Sequence, residues 1–105
     1  MLDIGVTYNL TYMQYRVYRG IYKITEISSG KVYIGQSINL VLRLRKYTRE
    51  PYFANPSGIE KIIFENGVDN FTFEILEFTD DLYEREKYYI SLYDACNPQV
   101  GFNIY

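Results

Sequence analysis

In the segment from residue 81 to 94, one carboxylate lies on the apolar side of a predicted helix, where its burial would lower the stability of the fold. At 100° per residue, Glu86 lies inside an apolar helical stripe, four residues after Leu82 and four before Ile90. A carboxylate that faces a core costs on the order of several kcal/mol unless it is paired or binds a metal. Glu86 is therefore a candidate metal ligand or acid/base, and a buried salt bridge with an arginine is the structural alternative. The apolar members of the stripe are Leu82, Tyr83, Tyr89, Ile90 and Tyr93.

A second candidate is Arg43, which falls at the border between the apolar and the basic side of a predicted helix. Its planar guanidinium suits a phosphate, because two N–H groups can donate to two phosphate oxygens. The alternative is an arginine whose stem runs along the core edge while its charge stays in water.

Two glycines bracket two tyrosines: Gly20 stands two residues before Tyr22, and Gly35 stands two residues after Tyr33. A glycine inside a strand often marks a bulge or a close backbone approach. A tyrosine hydroxyl can donate to a phosphate, and it can take a proton from water if a neighbouring cation lowers its pKa. Core tyrosines are the alternative interpretation. The sequence does not fix the strand register, so it leaves open whether the two tyrosines share a face.

The absence of histidine excludes Ser-His-Asp and Cys-His catalysis, a histidine base and histidine-bound zinc. The single cysteine, Cys96, forms no internal disulfide, which fits a reducing compartment. No run of about 18 apolar residues is present, and the N-terminus lacks the pattern of a signal peptide. We therefore expect a cytoplasmic protein with no membrane partner.

Charge is unevenly distributed along the chain, although the net charge is only −2. Residues 1–63 contain nine Lys or Arg and four Asp or Glu, whereas residues 64–105 contain two and nine. A mildly acidic chain can still present a basic face to a polyanion. Chance asymmetry in a small protein is the alternative.

Alternating β-branched and aromatic residues predict three strands, and helical periodicity predicts three helices, in the order ββααβα. Turn residues 28–30 predict a hairpin between the first two strands, and capping residues are expected at Asn39, at Ser57 and at Thr79 or Asp80. Asn66-Gly67 should end the second helix in a left-handed turn. The predicted strands cover 19–27, 31–35 and 70–78, and the helices run from Leu40 to about Arg49, from Ser57 to about Glu65, and over roughly 81–94, before an extended tail at 101–105.

The motif Gly20-Ile21-Tyr22, ten residues, and then Tyr33-Ile34-Gly35 resembles the signature of the GIY-YIG nuclease superfamily. The resemblance extends over residues 19–105, because an arginine, a glutamate and an asparagine follow in the family's order. It is closest to the catalytic domains of phage-type homing endonucleases. It implies an α/β (α+β) fold with a small three-stranded, mainly antiparallel sheet flanked by about three helices. Residues 1–18 would be an N-terminal extension to this single catalytic domain.

The resemblance also implies roles for the matching residues. Tyr22 would act as, or near, the general base, and Tyr33 would help hold the nucleophilic water or the phosphate. Arg43 would steady the scissile phosphate, Glu86 would bind one divalent metal ion, Mg²⁺ or Mn²⁺, and Asn103 would support the site. Four residues after this arginine, many homing-type relatives have a histidine. This chain has Tyr47 there, and a tyrosine is almost never positively charged at neutral pH. The predicted substrate contacts are Lys31, Arg45, Lys46, Tyr47 and Arg49.

The function that follows is metal-dependent hydrolysis of DNA phosphodiester bonds, with one strand nicked per active site. A double-strand break would need a homodimer or two sequential cuts. Relatives usually carry a separate DNA-binding region, so we expect a catalytic fragment, a stand-alone nickase or a subunit that needs a targeting partner. The resemblance points to a phage or a mobile element. Two alternatives stay open: a degenerate nuclease fold that binds DNA or a protein, and cleavage of RNA.

Overall fold

The computed structural model describes residues 17–49 and 58–104, and of Arg49 it describes the backbone alone. The expected extension up to residue 16, the 50–56 loop and Ser57 lie outside the described residues. Among the described helices, none is long and apolar enough to cross a membrane. The strands are β1 (Gly20–Glu26), β2 (Val32–Ser37) and β3 (Phe71–Phe78), and the helices are α1 (Leu40–Arg49), α2 (Ile59–Asn66), a 3₁₀ turn (Val68–Asn70) and α3 (Leu82–Leu92).

The three strands form one antiparallel sheet in the order β2-β1-β3. The predicted hairpin is confirmed: β1 and β2 are joined by a turn in which Gly30 has φ 76°. The sheet register pairs Tyr22 with Gly35 and Ile24 with Tyr33. Because side chains alternate between the faces of a strand, both motif tyrosines lie on the same face. The sequence left that question open.

Two apolar clusters hold helices on opposite faces of the sheet. On one face, α1 and α2 pack against alternate residues of β1 and β3. On the other face, α3 and the chain after it pack against the remaining alternate residues of β1 and β2. The first cluster is built around Tyr22, Ile24, Leu44, Ile63 and Phe73, and the second around Ile21, Val32, Ile34 and Ala95. This three-layer arrangement confirms the predicted fold class.

An irregularity in the β1–β3 pairing lies beside the motif tyrosine. The register shifts between Ile21, which faces Glu77, and Tyr22, which faces Ile75, so β3 carries one extra residue there, as in a β-bulge. A Cβ atom on Gly20 would lie 2.0 Å from the carbonyl oxygen of Glu77. The first motif glycine is therefore required by a close backbone approach, as the sequence indicated.

The chain after α3 returns to the free edge of β2. Val32 forms a parallel bridge with Gly101, and the backbone N–H of Phe102 donates to the carbonyl of Val32 at 2.8 Å. One position further on, the side chain of Asn103 takes over from the backbone. Its Oδ1 accepts from the N–H of Ile34 at 2.8 Å, and its Nδ2 donates to the carbonyl of Ile34 at 2.9 Å. A buried amide thus completes the edge of the sheet.

Several predicted element ends are corrected by the structure. The N-cap position of α2 is Gly58 rather than Ser57, and that of α3 is Asp81 rather than Thr79 or Asp80. The predicted cap at Asn39 is confirmed, since its Oδ1 accepts from the N–H of Leu42 at 3.2 Å. Gly67 ends α2 with φ 86°. Tyr83, placed on the apolar stripe by helical periodicity, is exposed, because the contact of α3 with the sheet is narrower than the stripe.

The buried side-chain amide of Asn103 should contribute more to stability than that of a solvent-exposed asparagine that makes the same number of hydrogen bonds. Asn103→Ala would leave the N–H and C=O of Ile34 unsatisfied, and we expect the free energy of unfolding to fall by about 1–3 kcal/mol. Asn97, whose side chain also makes two hydrogen bonds but in an exposed turn, is the matched control. Denaturant unfolding that shows equal losses for Asn103→Ala and Asn97→Ala would contradict this assignment.

Candidate active site

The ring of Tyr22 crosses the neighbouring strand at Gly35. A Cβ atom at position 35 would lie 2.3 Å from Cζ and 2.4 Å from the hydroxyl oxygen of Tyr22, far inside van der Waals contact. The second motif glycine therefore leaves room for the tyrosine of the first motif. Because β2 is the edge strand, the hydroxyl of Tyr22 is carried to the rim of the sheet.

At that rim, Tyr22 meets two residues of α1. The hydroxyls of Tyr22 and Tyr47 are hydrogen-bonded at 3.0 Å, and the guanidinium of Arg43 is an electrostatic neighbour of both hydroxyls. The ring of Tyr47 stacks on Phe73 in the core, with centroids 6.1 Å apart. The ring of Tyr33 lies 6.3 Å from that of Tyr22. The structure thus brings together four of the predicted residues, Tyr22, Tyr33, Arg43 and Tyr47.

Burial controls the proton on Tyr22. The side chain is 1% exposed, and desolvation, followed by the neighbouring Tyr47 and Tyr33, raises the pKa of Tyr22 far above its ordinary value, while Arg43 opposes the shift only weakly. The pKa of Arg43 is also raised: partial desolvation lowers it, but the tyrosine hydroxyls together outweigh that effect. At neutral pH Arg43 is therefore a cation beside the neutral hydroxyl of Tyr22, and a neutral hydroxyl can donate a hydrogen bond to an anion.

Glu86 is the buried residue of α3, as its position in the stripe predicted. It is 7% exposed, and the side chain of Gln36 in β2 is its polar neighbour. Desolvation raises the pKa of Glu86, and the interaction with Gln36 partly offsets this. Within residues 17–49 and 58–104, no salt bridge joins Glu86 to an arginine. The nearby Arg85 pairs instead with Glu77 at 2.8 Å.

Tyr22 and Glu86 lie on opposite faces of the same short stretch of β2. Tyr22 passes over Gly35, while Glu86 contacts Gln36, the next residue. Asn103 holds the same strand at Ile34. The predicted catalytic residues therefore converge on residues 34–36, and Asn103 acts there on the backbone of the strand.

The predicted substrate contacts are divided between two regions. Arg45 and Lys46 line a groove at the start of α1, together with Arg43. Lys31 lies at the opposite end of β2, where its ammonium is 5.8 Å from the ring centroid of Phe102. The side chain of Arg49 lies outside the described residues. The structure thus groups the helical cations with Arg43 and separates Lys31 from them.

Comparison with known proteins identifies the family of the chain. The GIY-YIG catalytic domain family matches residues 18–99. The chain belongs to the GIY-YIG family. The catalytic domain of the homing endonuclease I-TevI superposes with a TM-score of 0.65 and 25% identity, over 83% of this chain and 98% of that one. A mutant of the I-TevI catalytic domain, described as an intron endonuclease, gives a TM-score of 0.63 at 22% identity, over 84% and 94%. No curated protein sequence matches this chain.

Membership in this nuclease family implies endonuclease activity on DNA. The comparisons lend no support to a degenerate binding module. They confirm the family that the motif resembled and the three-stranded antiparallel fold with three helices that this resemblance implied.

The chemistry of Glu86 fits the divalent ion expected in a GIY-YIG nuclease. Among residues 17–49 and 58–104, no three His, Cys, Asp or Glu side chains are grouped to form a ready-made metal site. Mg²⁺ does not require one, since it binds through one or two carboxylates and completes its shell with waters and substrate phosphates. A single desolvated carboxylate matches that requirement.

Sequence reasoning missed two features of the GIY-YIG site. Gln36, the neighbour of Glu86, is an ordinary polar strand residue, and nothing in the sequence marked it as part of the site. Arg85 lies off the apolar stripe of α3, and nothing in the sequence identified its partner. In the structure its guanidinium donates to both oxygens of Glu77 at 2.8–3.0 Å, and the hydroxyl of Tyr89 donates to the same carboxylate at 2.9 Å. This clamp fixes α3, which carries Glu86, to β3.

The raised pKa of Glu86 leads to a prediction about stability. Its folded-state pKa lies above the unfolded value, so the ionised carboxylate destabilises the fold at neutral pH, and protonation removes this penalty as the pH falls. Glu86→Gln should therefore raise Tm at neutral pH, and the gain should shrink towards about pH 4, where the unfolded carboxyl also protonates. Thermal unfolding across this pH range measures it.

Glu84→Gln is the matched control, because Glu84 is an exposed glutamate on the same helix. Its Tm should stay close to that of the unmodified protein at every pH. A Glu86→Gln variant that is less stable at neutral pH, or whose gain does not depend on pH, would contradict the desolvation of this carboxylate.

Proposed function

We propose that this chain is an endonuclease that hydrolyses DNA phosphodiester bonds with one divalent metal ion, Mg²⁺ or Mn²⁺, and nicks one strand per active site. The observation that carries the proposal is the convergence on the rim of β2. Arg43 and the tyrosine hydroxyls lie on one side of residues 34–36, and the carboxylate of Glu86 lies on the other.

The scissile phosphate would lie against Arg43, whose fixed positive charge complements the negative phosphate oxygens. Negative charge grows on these oxygens as water attacks phosphorus in line, so a cation and preorganised donors lower the barrier. Tyr22 contributes a neutral hydroxyl, because its raised pKa makes it a donor rather than a ready base. Tyr33, in ring contact with Tyr22, would help orient the attacking water or the phosphate.

Glu86 would hold the metal ion against the phosphate, with Gln36 orienting the carboxylate. When bound, the ion supplies Lewis-acid stabilisation of charge on the phosphate oxygens. Asn103 is a positioning residue in this scheme, since it fixes the backbone of Ile34 beside the motif glycine. Tyr47, in place of a histidine, holds the hydroxyl of Tyr22.

One such centre cuts one strand, so a double-strand break would require a homodimer or two successive cuts. Residues 19–105 would form the catalytic domain after an N-terminal extension, and recognition of a target would come from a partner or a further region. A cytoplasmic setting and a phage or mobile-element origin accord with this activity and remain predictions.

Cleavage of supercoiled plasmid in Mg²⁺ or Mn²⁺ tests the proposal. The protein should convert supercoiled DNA to open circles before linear product appears, and EDTA should abolish the reaction. Glu86→Ala should lower the rate by more than about 100-fold, because the residue that holds the metal is lost. Glu84→Ala, a truncation of an exposed glutamate on α3, should leave the rate unchanged.

Two outcomes would contradict the proposal. Supercoiled DNA that stays intact with several plasmids and both metal ions would show that the chain is not an active DNA endonuclease. Cleavage that survives Glu86→Ala would exclude Glu86 as the residue that holds the metal ion.

A further inference from the structure

The helix that carries Glu86 makes little buried apolar contact with the sheet. Glu86 is the buried residue of α3, a helix whose residues are all described, whereas the apolar side chains of Leu82, Tyr89 and Ile90 are only partly buried. A buried carboxylate loses hydration, so a turn of α3 about its axis would return Glu86 to water with little loss of apolar contact. Another interaction must therefore hold α3 at the rotation that keeps Glu86 against the sheet.

Glu77 in β3 supplies that interaction. The guanidinium of Arg85 donates to both of its carboxylate oxygens at 2.8–3.0 Å, and the hydroxyl of Tyr89 donates to Oε1 at 2.9 Å. Arg85 and Tyr89 are four residues apart, so they lie on one side of α3 at successive turns, and Glu86 lies between them along the helix axis. Two contacts at successive turns resist rotation of the helix as well as sliding.

The β-bulge turns Glu77 towards α3. Alternate residues of β3 up to Ile75 face α1 and α2, and unbroken alternation would send Glu77 to that same face. The extra residue of the bulge instead pairs Glu77 with Ile21, whose side chain lies on the face covered by α3. Bulges commonly redirect a side chain next to an active site. The close approach of Gly20 to the carbonyl of Glu77 belongs to the same bulge.

Ring contacts orient the guanidinium of Arg85. Its central carbon lies 4.4 Å from the ring centroid of Tyr88 and 5.5 Å from that of Tyr89, and the two rings meet edge to face with centroids 5.1 Å apart. A two-pronged bond to a carboxylate requires a planar guanidinium, which a lysine cannot replace. The bond between Arg85 and Glu77 is therefore directional, and it fixes the orientation of α3.

We propose that Glu77 is a positioning residue of the endonuclease, which acts through Arg85 and Tyr89 to hold α3 at the rotation in which Glu86 can receive the metal ion. The proposal rests on the proposed function, because it assigns Glu77 a part in the metal site described there. Glu77 itself touches neither metal nor substrate. Without it, only a fraction of the molecules would present Glu86. The apparent metal affinity falls by that fraction, while the rate at saturating metal is retained.

A double-mutant cycle of thermal unfolding at neutral pH, without DNA or metal, tests whether Glu77 holds Glu86 in place. Glu86→Gln should raise the Tm of the unmodified protein, because burial penalises the carboxylate. In the Glu77→Gln background this gain should be lost, since the released helix lets the carboxylate regain water. Glu74→Gln is the matched control, because Glu74 is also a β3 glutamate in a salt bridge, with Lys23 of β1 at 3.0 Å. In that background the gain should persist.

Plasmid cleavage at increasing Mn²⁺ concentration tests what Glu77 does for the reaction. Glu77→Gln should raise the half-saturating Mn²⁺ concentration by about tenfold, as for residues that orient a metal ligand, and should keep the rate at saturating Mn²⁺. Glu74→Gln should change neither quantity. Arg85→Lys keeps the positive charge without the two-pronged geometry, so it should also raise the half-saturating concentration. It takes the place of Glu77→Gln in both experiments if that protein does not fold.

The two experiments separate this proposal from the proposed function. If Glu86→Gln raises Tm equally with and without Glu77→Gln, Glu77 does not hold Glu86, and the proposed function stands as long as the unmodified protein cuts DNA. A folded Glu77→Gln protein with a lower saturated rate and an unchanged half-saturating Mn²⁺ concentration would also overturn the positioning role. If the unmodified protein leaves DNA intact at every Mn²⁺ concentration, the proposed function fails, and the part of Glu77 in the metal site fails with it.

Discussion

The ring of Tyr22 reaches the rim of the sheet because position 35, directly opposite it on the edge strand, carries no side chain. Any Cβ there would overlap the ring, and the hydroxyl would be turned away from α1. With glycine in place, the hydroxyl meets Tyr47 and Arg43. The two halves of the sequence motif are thus one packing contact, in which the second supplies the space that the first fills.

The edge strand β2 then links everything else in the site. Its one face carries the tyrosines and the arginine of α1, and its other face meets Glu86 through Gln36. An edge strand is the least constrained part of a sheet, so its position must be secured. Asn103 does this at Ile34 by replacing a missing backbone partner. The clamp between Arg85 and Glu77 holds α3, the helix that carries Glu86, against β3.

The local periodicity of the sequence was sufficient to predict several of these features. It predicted the strands, the helices and the inward position of Glu86, because each depends on residues within a few positions of one another. It did not determine the register of the hairpin, so the shared face of Tyr22 and Tyr33 appeared only in the structure. The bonds of Asn103 join residues 69 positions apart, and Gln36 has no feature that marks it as the partner of Glu86. Helix caps were misplaced by one or two residues, because Gly58 and Asp81 stand at the N-cap positions without a side-chain capping bond.

The most direct test of this account is the rate of DNA cleavage by Tyr22→Phe, measured in a single turnover at saturating protein. This change removes one oxygen atom and keeps the ring over Gly35. We expect a rate lower by about 100-fold, as for the loss of one preorganised donor to a reacting phosphate, while Tyr83→Phe, at an exposed position on α3, should cleave normally. A Tyr22→Phe protein that folds and cleaves DNA at the unmodified rate would show that the hydroxyl at the rim of β2 takes no part in the reaction.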